Sequence, residues 1–145
     1  MSDIERVREW IKGFGGIPEE FKIDFTSEIP SNAGIFPNGL VEISRRPDIL
    51  DNITVTNQYN FSIYYVFEKD KGEDSQALSN ADWVMAFQKW VQEQSVRHLA
   101  PSFGNVDIEQ ETFKAQNGAM FEASKEGTAM YMVLLSAQFK NFYGG

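Results

Sequence analysis

His98 is the only histidine in a chain of 145 residues, so histidine-based acyl-transfer or triad chemistry would have to pass through it. Its surroundings, HLAPS at 98–102, supply no aspartate at helical spacing to orient the ring and no activated nucleophile. It falls at the end of the apolar face of a helical pattern, where a packed imidazole is the expected role. Absence of cysteine removes disulfides, thiolate nucleophiles and cysteine-based zinc or iron–sulfur sites together. Carboxylates alone would have to hold any metal. GEDSQ at 72–76 lacks the spaced acids of a calcium loop. Glu109, Glu111 and Glu122 could meet across a hairpin, but a solvated strand face shows the same pattern. Gly13, Gly15 and Gly16 follow a helical stretch instead of preceding one, and no Lys-Ser/Thr pair comes after them. They read as a helix stop, not a phosphate cradle. The sequence thus predicts no enzyme, no cofactor and no metal.

The remaining chemically pointed feature is the twin arginine Arg45-Arg46. It lies inside a segment, 32–52, that is too apolar for a slack linker and too broken by Gly and Pro for one regular element. With 21 acidic against 13 basic residues the net charge is -8, which disfavours binding to a phosphate backbone over the whole surface. A lone arginine pair in such a chain is expected to bond carboxylates of its own or a neighbouring subunit. Pro47 biases Arg46 towards an extended backbone. Ile35, Phe36 and Leu40 with Arg45, Arg46, Asp48 and Asp51 are therefore the candidate subunit-interface residues, apolar anchors beside charges that set register. The competing reading is an Ω-like loop packed over the subunit's own core.

The elements around this segment follow from periodicity. Ser2 and Glu5 form a capping box and Asp3 suits the positive end of a helix, with Ile4, Val7, Ile11 and Phe14 as its apolar stripe. Phe21, Ile23 and Phe25 alternate with polar residues as in a half-buried strand. Within the irregular segment only 40–44 is expected to pair. Residues 52–68 carry the strongest strand pattern, with Ile53, Val55, Tyr59, Phe61, Ile63, Tyr65 and Phe67 on one face. Their number far exceeds the ~5–6 residues of an ordinary strand, predicting a bulge or a projecting arm. Ser79 is expected to cap a helix over 79–98 whose stripe is Trp83, Val84, Phe87, Trp90 and Val91. Three further strands are predicted over 106–116, 119–124 and 128–142, turned at Asn117-Gly118 and Glu126-Gly127.

This order predicts one α+β domain spanning 1–145: an antiparallel β-sheet with two main helices packed on one face. Twelve Phe, five Tyr and three Trp provide burial for a core and for interfaces alike. Apolar content on both faces around Tyr64 to Val66 and Met130 to Leu134 predicts that a second copy shields part of the sheet. No apolar run approaches the ~20 residues of a membrane helix. The charged start MSDIERVREW is unlike a signal peptide, so a soluble protein made in the cytoplasm is expected.

Four stretches, SDIERVREWIKGF, SNAGIFPNGLVEISRRPDILDNITV, DWVMAFQKWVQEQS and GTAMYMVLLSAQF, together resemble a group of small prophage proteins of Firmicutes. Members are labelled minor capsid or tail-completion proteins, and some carry a chloramphenicol-resistance label. That label is set aside, since no His-x-x-x-Asp constellation surrounds His98. The likeness covers most of the chain, and the element order is similar to that of phage tail terminators. It implies a homo-oligomeric ring, commonly hexameric, that caps the tail tube protein, meets the head–tail connector protein, and passes DNA through its lumen without specific binding. An acidic lumen would suit that passage. The expected location is the virion tail or neck. Alternatives are another head–tail neck or completion protein and, from a different class, a small-molecule binding or acyl-transfer enzyme.

Overall fold

A computed structural model describes residues 1–15, 21–23, 33–68, 74–123 and 128–145. Side chains at 22, 66–68, 74–81, 117–123 and 128–130 lie outside that description. The chain forms α1 (Asp3–Ile11), β1 (Lys22–Ile23), β2 (Ala33–Pro47), β3 (Ile53–Glu68), α2 (Asp74–Val96), a 3-10 turn (Ile108–Gln110), β4 (Thr112–Ala123) and β5 (Thr128–Tyr143). The sheet order is β1-β2-β3-β5-β4. Its four long strands are antiparallel to their neighbours, whereas the two-residue β1 runs parallel to β2 at Gly34 and Ile35. The fold is α+β, with both helices on one face of the sheet. β3 and β4 run in the same direction, joined through α2, and β5 inserts between them, which makes a split β-α-β unit.

The predicted capping box closes α1: Ser2 Oγ accepts from Glu5 N–H at 3.3 Å, and Glu5 Oε1 accepts from Ser2 N–H at 3.2 Å. Val7 and Ile11 carry α1 into the core. Trp10 stacks on Trp90 at 5.0 Å between ring centroids, leans on Phe113 at 4.6 Å, and donates its indole N–H to Gln94 Oε1 at 3.0 Å. One residue thus joins α1, α2 and β4, with its polar edge satisfied. Val84, Phe87 and Val91 of α2 meet Ile35, Phe61, Ile63, Val133, Leu135 and Ala137 of the sheet, all buried.

Several sequence expectations need correction. Residues 33–47 form one continuous strand, not a broken segment with a short strand at 40–44. Two bulges, at Asn38 and at Ile43, absorb the irregularity that Pro37 and Gly39 announce. Gly39 takes φ of +96°, which only glycine adopts without strain. β4 likewise runs through Asn117-Gly118 with a register shift, where a turn between two strands was predicted. A Gly in a strand pattern marks a bulge as readily as a turn. α2 begins at Asp74, five residues before the expected cap Ser79. Of the predicted strand at Phe21, Ile23 and Phe25, only Lys22–Ile23 is seen as strand; Phe25 and the turn at Glu126-Gly127 lie outside the described residues. β3 and β5 pair without a register shift from Ile53 to Glu68, so the expected bulge is absent from this pairing, and the long strand lies inside the sheet between β2 and β5.

A strap at 97–111 links α2 to β4. Glu111 holds it: Oε1 accepts from Phe103 N–H at 2.9 Å and Gly104 N–H at 3.0 Å, and Oε2 accepts from the Ser102 hydroxyl. Arg6 of α1 donates to Ser102 O at 2.8 Å and lies over the Phe103 ring. Where the strap crosses β5, a Cβ on Gly104 would stand 2.2 Å from Lys140 O. Backbone on both sides leaves nothing flexible to yield. Gly104→Ala should therefore destabilise the protein by about 1–3 kcal/mol, read as a lower urea midpoint at unchanged slope.

Candidate functional site

The alternating strands give the sheet two different faces. Towards the helices point Ile63, Phe61, Tyr59, Asn57 and Val55 of β3, with Val133, Leu135, Ala137 and Phe139 of β5. On the other face stand Thr54, Thr56, Gln58, Asn60 and Ser62 with Ser136, Gln138 and Lys140, joined at the margins by Arg46 and Lys114. Gln138 Nε2 donates to Gln58 Oε1 at 2.9 Å, and Gln58 Nε2 donates to Asn60 Oδ1 at 2.8 Å. This outer face is polar for most of its length. Apolar groups occur on it at the end predicted, where Phe36 packs edge-on against Tyr64 at 4.6 Å with Met132 and Leu134 half-buried beside them, and singly at Val41 and Phe142, on the rungs of Gln58 and Thr54. Its described charges, Arg46, Lys114 and Lys140, are basic.

Exposed apolar side chains also occur singly on α2, on the strap and at the end of β5, at Met85, Val96, Leu99, Ile108, Phe142 and Tyr143, but the longest series along one element lies on the β2 margin and its turn. Beyond Phe36 every residue of β2 is exposed, including Leu40 at 53%, Val41 at 47% and Ile43 at 49%. At the turn, Ile49 is 99% and Leu50 74% exposed. The turn itself is tightly built. Asp48 Oδ1 accepts from Leu50 N–H at 2.8 Å and Asn52 N–H at 3.0 Å, and Asp48 N–H donates to Asn52 O at 2.9 Å. Asp51 supplies the left-handed residue, φ +62°. Asn52 Oδ1 accepts from Gly145 N–H at 3.0 Å, tying the end of the chain to the turn.

The candidate interface residues separate on this structure. Ile35 is fully buried in the subunit's own core and has no surface to offer a neighbour, because β1 and α1 cover that end of β2. Phe36 is half-buried against Tyr64. Leu40, Arg45, Arg46, Asp48 and Asp51 are exposed. Asp48 and Asp51 form the turn, so Asp48 is engaged in holding backbone. Arg45 Nε meets Glu42 Oε1 at 2.7 Å. Residues three apart in a regular strand point to opposite faces; the Ile43 bulge between them brings Glu42 and Arg45 to the same side. No ion pair to Arg46 occurs among the described residues. Sequence reading missed Ile49 and Leu50, although two aliphatics between turn-forming Asp48 and Asp51 were a visible signal.

His98 is not a packed imidazole. It is exposed and left-handed, φ +57°, in the position that closes α2. His98 N–H donates to Ser95 O at 3.2 Å and Leu99 N–H to Gln94 O at 2.9 Å, the paired bonds of a Schellman cap in which glycine is the usual residue. A small cavity beside it is lined by Ser95, Ser102 and Glu111. Both hydroxyls are occupied there: Ser95 Oγ accepts from Phe113 N–H at 2.9 Å, and Ser102 donates to Glu111. Tyr59 donates to Asp3 Oδ2 at 2.7 Å, and burial first, then that hydrogen bond, push its phenol up to about 12. It remains protonated and structural. Among the described residues no group of acids or His could hold a metal, and no helix is long and apolar enough to cross a membrane.

Two measurements follow. His98→Gly should stabilise the protein by a few tenths to about 1 kcal/mol, since it relieves a left-handed non-glycine residue; a catalytic or packed histidine would give no gain in thermal midpoint. The Asp48 carboxyl is held below its ordinary value of 3.8, chiefly by the Leu50 N–H; desolvation opposes the shift, and the backbone and side-chain N–H groups of Asn52 add to it. A depressed folded-state pKa means the turn's stabilisation is complete above 3.8 and is lost as pH falls through the lower value. Amide proton shifts of Leu50 and Asn52 should accordingly titrate with a midpoint below 3.8, followed by NMR.

No protein-family model matches this chain, and no curated protein matches it.

Proposed function

We propose that the protein is a structural component of a phage tail, a terminator that assembles as a ring, caps the tail tube and presents a surface to the head connector. The reading has no catalytic step. One observation carries it: a subunit with a closed core holds out a long β2 margin and turn with Leu40, Val41, Ile43, Ile49 and Leu50 in solvent. A concentration of exposed apolar side chains along one margin and its turn marks contact with another macromolecule. Each such side chain gains about 1.5–3 kcal/mol when fully covered. The resemblance of the four quoted sequence stretches to prophage tail-completion proteins names the assembly, and the α+β element order agrees with it.

The outer face also suits a lumen. Hydroxyl and amide groups at Thr54, Thr56, Gln58, Asn60, Ser136 and Gln138 offer DNA no array of cations dense enough for tight binding. Passage would then depend on a neutral polar wall with a few basic residues, in place of acidic repulsion.

Purified protein at high concentration should give rings in negative stain and a matching mass by light scattering. Added to polymerising tube protein, it should limit tube length. A monomer that leaves tubes unchanged overturns the reading. Ile49→Asp with Leu50→Asp should keep the thermal midpoint within the small change usual for surface sites, about 0.5 kcal/mol, while ring assembly or tube capping is lost.

A further inference from the structure

The open side of β2 has a matching counterpart on the same chain. Among the described residues β1 closes the β2 edge only at Gly34 and Ile35, and no described strand pairs with it from Phe36 to Pro47. The opposite margin of the sheet is β4, continued by the strap that runs beside β5. Strand register fixes which parts stand level. Pro37, Phe61, Leu135 and Ala115 share one rung, and Arg46, Thr54 and Phe142 share another. On the second rung the strap takes over from β4. Asn105 accepts from Phe142 N–H at 2.6 Å and donates to Phe142 O at 3.1 Å, and Val106 bridges to Lys140. Asp107, Ile108 and Glu109 follow from the rung of Lys140, Thr56 and Ser44 on the far margin, a rung that lies one short of Arg45 and two short of Arg46.

Those two margins complement each other. One exposes Arg45 and Arg46 beside Leu40 and Ile43; the other exposes Asp107 and Glu109 beside Ile108, 53% exposed. Asp107 already faces a cation, Lys140 Nζ, at 3.8 Å on the polar face that Arg46 also shares. Its backbone is left-handed, φ +52°, and the neighbouring Asn105 clamp and Gly104 crossing leave it little freedom. β2 and β4 run in opposite directions, so rotating a copy about an axis along the strands places its β4 margin beside this β2 with the antiparallel alternation preserved. The two bulges, with Pro37 and Pro47, interrupt any long backbone ladder, so side chains must make the contact.

We infer that the β2 margin of one copy docks on the β4–strap margin of a second copy, with Arg45 and Arg46 paired to the neighbour's Asp107 and Glu109 around Leu40, Ile43 and Ile108. The contact is heterologous, each copy offering one margin and receiving the other, which generates a ring when the rotation closes. It deepens the ring reading and rests on it.

The test uses two variants of the full chain, Arg45→Glu with Arg46→Glu, and Asp107→Lys with Glu109→Lys. Each alone places like charges at every junction and should elute as a monomer with a wild-type circular dichroism spectrum. Mixed in equal amounts and alternating around a ring of an even number of copies, they place opposite charges at every junction, and mass by light scattering should return to that of the wild-type assembly. Folding defects would not be repaired by mixing. Glu42→Gln, which removes only the pair within the chain, should leave assembly intact. Variants that assemble alone, or a mixture that stays dissociated while the wild type forms rings, overturn this contact and leave the ring reading standing. A wild type that neither assembles nor caps tubes overturns the ring reading itself.

Discussion

β3 and β5 each run sixteen residues, pair without a break, and so form a plank roughly 50 Å long. The longer helix, α2, has 23 residues and extends about 35 Å, and α1 has only nine. Two helices of these lengths cannot cover that plank, and they cover one face of it only. The covered part contains the core, closed by the Trp10–Trp90–Phe113 joint and by Phe87 and Phe14 around it. The uncovered part must tolerate water or find another surface. Its central strands answer with polar residues on the outer face, while the margin strand β2 does not, keeping Leu40, Val41 and Ile43 exposed. Exposure at the margin thus falls on the edge strand, where the chain's own helices and strap supply no cover.

How much of this was legible depended on how each element is stabilised. α1, β3 and β5 declare themselves because their apolar spacing answers to a single partner surface. The irregular-looking β2 did not, since local chemistry points to turns at Pro37 and Gly39 while sixteen residues of β3 offer a ladder that outweighs them. Each bulge absorbs one misfit residue, and an edge strand can hold prolines whose missing N–H faces away from the ladder. The same override merged two predicted strands into β4 across Asn117-Gly118. Propensity reads a dipeptide, whereas pairing acts over the whole strand.

His98 shows the opposite error. Its helical phase placed it on the apolar stripe, but the helix unwinds one residue earlier and the left-handed turn rotates the ring into solvent. A histidine at that position is a helix terminator performed by an unusual residue. Glycine is absent from the end of α2, and the sequence gives no other sign of where the helix stops before Pro101. Ile35 illustrates a related limit. Pattern alone could not separate it from Leu40, five residues on, although β1 and α1 bury the first and leave the second open.

An edge strand with exposed aliphatics invites indiscriminate pairing, and β2 carries the devices that prevent it: two prolines, two bulges and two arginines. Such devices oppose a backbone ladder, yet they do not oppose a side-chain contact whose charges match. Selectivity then comes from electrostatics, with apolar groups supplying area. Two β2 margins meeting each other would bring their arginines into one interface without a matching acid beyond Glu42, whereas the β4 side offers Asp107 and Glu109 towards the same end of the sheet. The outcome favours contacts between unlike margins over contacts between like ones. A chain built this way extends in one rotational sense, and closure follows when the twist of its sheet and the number of copies agree.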